Sequence, residues 1–306
     1  MQPLRGITLK LLSICVFMGM ASLIKATADE VPPGQAVFFR SFFAMPVIVV
    51  WLMFRGELRH GLETRNPIGH FWRGLVGTTS MGLGFAALGL LPLPDATVIG
   101  YAAPLLVVIF AAMFLGEEVR AFRLSTVALG LVGVMIVLSP RLTVGQDPLS
   151  ARESFGAMVA LSSAVFAALA AVFVRKLVAT EDTATIVFWF SATASLLSLV
   201  TLPWGWAVPS PSAALLLILA GFLGGLGQIL LTSSYRYADA SVVAPFEYAS
   251  ILLALGVGFF IFGEVPTLTM LAGAAIIITA GVLIIWRERK LGLERKRQRE
   301  AGTPGG

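Results

Sequence analysis

Ten uninterrupted apolar stretches, each long enough to cross a lipid bilayer, occupy most of the chain. They lie at roughly 7–27, 35–54, 70–91, 95–115, 122–139, 154–175, 184–202, 213–234, 240–262 and 267–286. A hydrocarbon core of about 30 Å requires ~20 apolar residues at about 1.5 Å of rise per residue. A mean hydropathy of +0.88 and a charged fraction of 13% meet that demand, and no segment has the composition of a water-soluble domain. The runs are continuous and show no period of two, so they read as helices and not as barrel strands. The fold class that follows is an all-α integral membrane protein with ten transmembrane helices. Short connections rich in proline, glycine and charge make neighbouring helices antiparallel. The first stretch is about twice as long as the apolar region of a signal peptide and lacks a small-residue cleavage site, so it reads as a retained helix.

Charge placement orients the bundle. With ten crossings, 18 of the 22 lysines and arginines fall on the side that carries both termini, leaving Lys25, Arg40, Arg141 and Arg152 for the other. The positive-inside rule therefore puts both termini in the cytoplasm of a multi-pass inner-membrane protein. Arg5 and Lys10 are counted before span 1, and Arg55, Arg59, Arg65 and Arg73 in the loop between spans 2 and 3. The tail RERKLGLERKRQRE, in residues 287–306, reads as a solvated topology anchor, so the net charge of +5 speaks of orientation and of no nucleic-acid partner. The sole cysteine, Cys15, excludes an intrachain disulfide and a thiolate metal cluster.

The chain also repeats itself. Asp95, Ala96, Thr97 and Val98 match Asp239, Ala240, Ser241 and Val242, and Gly116 and Glu117 match Gly263 and Glu264. Lys25 near the end of span 1 matches Lys176 near the end of span 6. The organisation is then a first five-helix unit over 1–140, a linker over 141–153, a second unit over 154–286 and the basic tail. Five is odd, so the second unit enters the membrane from the opposite face. Inverted repeats of this kind let one unit form outward and inward gates that exchange shapes. Asp95 and Asp239 read as helix N-caps helped by Thr97 and Ser241.

The paired DAxV…P…GE segments, and the run VAPFEYASILLALGVGFFIFGEVPT over 243–267, resemble the EamA-type transporters of the drug/metabolite transporter superfamily. The resemblance covers nearly the whole chain as two EamA-like units. It implies ten helices, cytoplasmic termini and secondary transport. Similar families export amino acids, drugs or other metabolites, whereas related ones take up vitamins or nucleoside-like compounds such as riboflavin or S-adenosylmethionine. Arg40, in VFFRSFF, also stands where such proteins usually carry an arginine.

Few ionisable groups lie at membrane depth, where each costs ~2.5 to 3.5 kcal/mol on insertion scales. Arg40 falls ~8 Å below one surface and Glu247 ~10 Å above the other, ~12 Å apart in height. One reading places both on the wall of a central cavity, Arg40 for a carboxylate or phosphate, Glu247 for an amine or a coupling proton. In the other, Arg40 reaches the headgroups and Glu247 makes an interhelical hydrogen bond. Lys25 either anchors at the interface or joins Arg40 in a cationic vestibule. Tyr101, Trp189, Gln228 and Tyr248 complete the candidate substrate contacts, and Pro104 and Pro245 are candidate kinks beside them.

Glycines in span 3 (Gly74, Gly77, Gly82, Gly84, Gly89) and span 8 (Gly221, Gly224, Gly225, Gly227) offer faces for close helix packing, and Gly221 to Gly225 forms a GxxxG that either packs internally or serves a homodimer. There is no GxxxxGK[ST] loop for ATP, no HExxH, and both histidines, His60 and His70, sit at one loop. Ser22 and Lys25 spell an SxxK without its partner motifs. The expected partners are thus a small-molecule substrate, the bilayer and a coupling proton, with no cofactor, no metal and no enzymatic reaction.

Overall fold

The computed structural model describes residues 3–115, 121–142, 148–178, 180–237 and 244–301. They form thirteen α-helices: α1 (Pro3–Ala26), α2 (Pro33–Phe42), α3 (Ala44–Arg55), α4 (Leu58–Leu62), α5 (Pro67–Leu90), α6 (Leu93–Gly100), α7 (Ala102–Leu115), α8 (Ala121–Leu142), α9 (Pro148–Val178), α10 (Thr183–Ser198), α11 (Pro211–Tyr237), α12 (Ala249–Phe262) and α13 (Leu268–Ala301). Two 3₁₀ segments, Leu199–Trp204 and Ala244–Tyr248, extend α10 and precede α12. Within the described residues every expected apolar stretch is mostly helical. Seven helical runs are long and apolar enough to span a bilayer: Leu4–Ala26, Pro33–Arg55, Leu93–Phe114, Ala151–Val174, Ala184–Trp204, Pro211–Leu231 and Leu268–Arg287. Leu124–Pro140 and Phe246–Phe262 are shorter apolar helices, and α5 is long but diluted by His70, Arg73 and its glycines.

Two of the spanning runs are broken for the same reason. Proline has no N–H to give the carbonyl four residues back. Pro46 deprives Phe42, where α2 ends, and Pro104 deprives Gly100, where α6 ends. The kink expected at Pro104 is thus a break at Tyr101. Pro245 lies in the backbone of the 3₁₀ segment that precedes α12, so the start of that span is tighter than the continuous α-helix expected of it. Gly56 and Gly263, both at φ 66°, close α3 and α12 in the left-handed conformation that glycine adopts without penalty. Helices α8 and α9 both reach into the expected linker, and α13 runs on through the basic tail.

The N-cap reading of Asp95 is corrected. Helix α6 starts at Leu93 with Pro92 in the cap position, so Asp95 is the third helical residue, and the Thr97 hydroxyl donates back to the Leu93 carbonyl at 2.8 Å. Asp239 and Ser241 lie outside the described residues.

The packing joins one unit to the other. Helix α1 lies on α11, α5 on α9, α8 on α13, α2 on α10 and α6 on α12. Exchanging each span for its repeat mate turns the first of these pairs into the second and the other three into themselves. Small residues make the close approaches: a side chain at Gly221 would strike Phe43 and the Phe39 carbonyl, and one at Gly225 would come within 3.0 Å of the Ala44 carbonyl. The GxxxG of α11 is therefore seated on α2 and α3 within the chain. The main apolar core gathers Val98, Ile99, Tyr101, Val134, Ala160 and Ile277 from both units.

Candidate functional site

The exchange symmetry puts equivalent residues face to face. Tyr101 and Tyr248 are 147 apart, the offset that also relates Gly116 to Gly263, and their rings stack with centroids 5.0 Å apart. Each stands at a break: Tyr101 between α6 and α7, Tyr248 at the cap of α12. A hinge with unpaired backbone groups is tolerated at membrane depth only where protein or a cavity receives it. Here the Tyr101 hydroxyl supplies a partner, donating to the Glu247 carbonyl at 2.5 Å and lying 2.7 Å from Ser250 Oγ. Gly281 of α13 leaves the room for the Tyr248 hydroxyl, since a Cβ there would overlap it.

Beside this stack opens a cavity of about 410 Å³, lined by Lys10, Ser13, Tyr101, Pro104, Glu247 and Ser250 among others. Its charged pair is Lys10 Nζ and Glu247 Oε1, 3.3 Å apart, with side chains 2% and 49% exposed. The lysine is buried in the wall and the carboxylate faces the opening. Lys10 was counted in the sequence as a flanking charge. It is instead the eighth residue of α1, roughly 10 Å along it. The signal was its place inside the apolar stretch 7–27.

The far end of α1 is tied to other segments. Lys25 Nζ sits 2.9 Å from Glu264 Oε1 and donates to the Leu88 and Leu91 carbonyls at 3.0 and 2.6 Å, while the Leu93 N–H donates to Glu264 Oε2 at 2.8 Å. Four segments are tied at one point. Both side chains are largely buried, at 13% and 16% exposed. Lys25 therefore joins α1 to the second unit through Glu264. A second cavity of about 210 Å³ near this end is mostly apolar, with Ile24, Val31, Phe85 and Arg152 in its wall.

At the opposite end, Glu181 Oε1 accepts from the Thr64 hydroxyl and from the Arg65 and Asn66 N–H groups at 2.9, 2.7 and 2.8 Å, fixing the loop before α5. Burial pushes this carboxyl up, but the three hydrogen bonds and His70, 3.9 Å away, outweigh burial and hold its pKa below the ordinary value.

The other candidates separate. Arg40 is 4% exposed and does not line the Glu247 cavity; its guanidinium lies 6.0 Å from the centre of the Phe190 ring. Arg73, read in the sequence as a loop charge, belongs to α5, and its guanidinium stacks on the same ring at 3.6 Å. Trp189 spends its indole N–H on the Leu62 carbonyl at 3.1 Å and Gln228 is half-buried on α11; neither lines either of these two cavities. The cavity thus assembles Glu247 and Tyr101 with Lys10 and Ser250, which the sequence reading had passed over. Glu264 was visible only as half of a repeated Gly-Glu pair.

Known proteins carry the same organisation. The chain is 30% identical over 280 residues to the pseudopaline exporter CntI of Pseudomonas aeruginosa strain UCBPP-PA14, covering 91% of this chain and 95% of that one. It is 29% identical to the S-adenosylmethionine uptake transporter of Rickettsia bellii (92% and 97% covered) and 28% identical to the riboflavin transporter of Rhizobium johnstonii (85% and 83% covered). A solved crystal structure at 22% identity shares the fold with a TM-score of 0.66, over 94% of this chain and 98% of that one. The model of the EamA-like transporter family matches twice, at residues 4–139 and 154–287. A duplicated helical unit packed across an exchange axis, with a charged cavity near one end of α1 and a largely buried ion pair near the other, is thus the setting of a multi-pass membrane transporter, and the chain belongs to the EamA-like transporter family.

Proposed function

We propose that the protein is a secondary carrier that exports a small polar or amphipathic metabolite by alternating access, with ten crossings and both termini on the cytoplasmic side of the inner membrane. The observation that carries this reading is the asymmetry of α1: at the Lys25 end the ion pair with Glu264 acts as a latch beside a cavity of 210 Å³, and at the Lys10 end α1 borders one of 410 Å³. In that orientation the cavity opens to the cytoplasm. An inverted arrangement of the units is supported by Leu93, which meets Glu264 beside Lys25, and by Tyr237, which lies 4.2 Å beneath Arg5 at the other end of α1. In a carrier built of inverted repeats, the latch at one face has a counterpart at the other. The repeat mates of Lys25 and Glu264 are Lys176 and Glu117. Lys176 is exposed here, and Glu117 lies outside the described residues.

Glu247 is the group we assign to coupling. A proton or the amine of a substrate would release Lys10 from it, changing the charge of the wall that faces the cavity. Tyr101, Tyr248 and Ser250 would contact the substrate, and the breaks near Pro104 and Pro245 would absorb the bending. Export is favoured by the likeness to the pseudopaline exporter; uptake is the second reading, favoured by the S-adenosylmethionine and riboflavin transporters. Counterflow into proteoliposomes of a mixed metabolite panel, with and without an imposed pH gradient, tests the carrier reading that both share. Saturable exchange is expected, and flux that neither saturates nor counterflows would indicate a channel.

A further inference from the structure

Five buried polar groups around α2, α5 and α10 have no partner: Arg40 Nε, Arg73 Nε and Nη1, Ser41 Oγ and Thr78 Oγ1. Among the described residues no carboxylate pairs with either arginine, and the two guanidiniums repel each other. Native proteins rarely leave such groups unmade without a ligand, ion or water to take them.

Two glycines lie against these cations. A Cβ at Gly77 would strike Arg73 Nη1, and one at Gly224 would come within 3.0 Å of Arg40 Nε. Both guanidiniums attend one ring, Phe190, at 3.6 and 6.0 Å from its centre. A cation over a ring gains less than each unpaired ion loses on being withdrawn from water. The ring therefore does not account for two arginines.

Their position carries the argument further. VFFRSFF and VFWFSAT align at an offset of 150, Val37 with Val187 and Ser41 with Ser191, so Arg40 faces its own repeat mate, Phe190. The pair lies on the same exchange axis as Tyr101 and Tyr248, where a site keeps its surroundings as the units rock. Duplication explains the packing there but not the charge, because the second unit has Phe190 opposite Arg40 and Leu217, at the offset of 144, opposite Arg73. Arg73 is half-buried as a whole while its Nε and Nη1 are fully enclosed. The same Gly224 abuts Met20, about one turn of α1 beyond Phe17 and Met18 in the cavity wall.

We propose that Arg40 and Arg73 form an oxyanion site on the exchange axis, and that the transported molecule carries a carboxylate or phosphate group whose oxygens accept from both guanidiniums. The inference rests on the carrier reading and names its substrate class.

The test is thermal unfolding of the full chain in detergent, with succinate, citrate or inorganic phosphate each compared with sodium chloride at equal ionic strength. At least one oxyanion is expected to raise the melting temperature by roughly 5 °C at concentrations far above its dissociation constant. A shift with the two acids alone assigns a carboxylate, with phosphate alone a phosphate ester, and with all three a shared oxyanion site. Arg40→Met and Arg73→Met should lose that shift yet melt no lower than wild type without ligand, since an uncompensated buried charge has gone. Should a methionine variant fail to fold, Arg40→Lys and Arg73→Lys should need at least tenfold more anion for the same shift. No shift beyond sodium chloride, or a shift unchanged in the variants, overturns the proposal. If counterflow persists while no oxyanion binds, the carrier stands and the oxyanion site falls; if all exchange is absent although oxyanions bind, it is the carrier reading that falls.

Discussion

The latch at the far end of α1 makes the sharpest prediction. Glu264→Gln keeps an acceptor for the Leu93 N–H but removes the charge 2.9 Å from Lys25 Nζ. Breaking a buried ion pair from one side costs about 3 to 5 kcal/mol. With the side chains 13% and 16% exposed, water screens part of that and leaves about 2 to 3 kcal/mol. The loss falls only on the conformation in which the latch is closed, so the balance should move roughly 30- to 150-fold toward the one that opens at the Lys25 end. Cys15, the sole cysteine, is exposed and is first replaced by serine. Ala21→Cys, one turn before Lys25, then reports that end, and Ala103→Cys reports the cavity. A membrane-impermeant thiosulfonate added from the periplasmic side should modify Ala21→Cys at least tenfold faster in the Glu264→Gln background and Ala103→Cys more slowly from the cytoplasmic side. Rates that stay within twofold, or that Lys25→Met and Glu264→Gln change additively, would refute the latch.

Three more changes probe the remaining parts. Glu247→Gln should abolish the dependence of transport on an imposed pH gradient while leaving counterflow in place; an unchanged pH profile in proteoliposomes removes Glu247 from coupling. Gly281→Ala, whose Cβ overlaps the Tyr248 hydroxyl, should cost about 1 to 3 kcal/mol of stability and, by dislodging the tyrosine stack, reduce transport at unchanged membrane insertion. Full activity would show the stack to be dispensable. Glu181→Gln should lower the melting temperature at neutral pH. The folded pKa of Glu181 lies below its unfolded one, so the folded state binds fewer protons; the contribution is complete above about pH 4.3 and fades as pH falls through the depressed folded value. The gap between variant and wild type should therefore close on acidification, and a gap that widens would contradict the assignment.

Sequence and structure divided the problem by the range of the forces involved. Hydropathy is a property of contiguous residues, so the apolar stretches, their helical nature and the duplication were legible without coordinates. Pro104 marked a break because the missing N–H acts only four residues away. The glycines of α11 announced close packing, although only the tertiary structure seated them on α2 and α3.

What a charge does depends on neighbours far along the chain, and there the linear reading failed in particular ways. Lys10 and Arg73 were counted as flanking charges because each stands within two turns of a span's beginning; the helices extend beyond the apolar runs and carry both inward. Lys25 looked like an interfacial anchor until Glu264, more than two hundred residues away, came to lie against it. The stack of Tyr101 on Tyr248 and the facing of Arg40 by Phe190 were latent in the repeat offsets, yet an offset says only that two residues are equivalent. Whether equivalents meet is decided by where the exchange axis runs, and that is set by helix packing across the whole bundle.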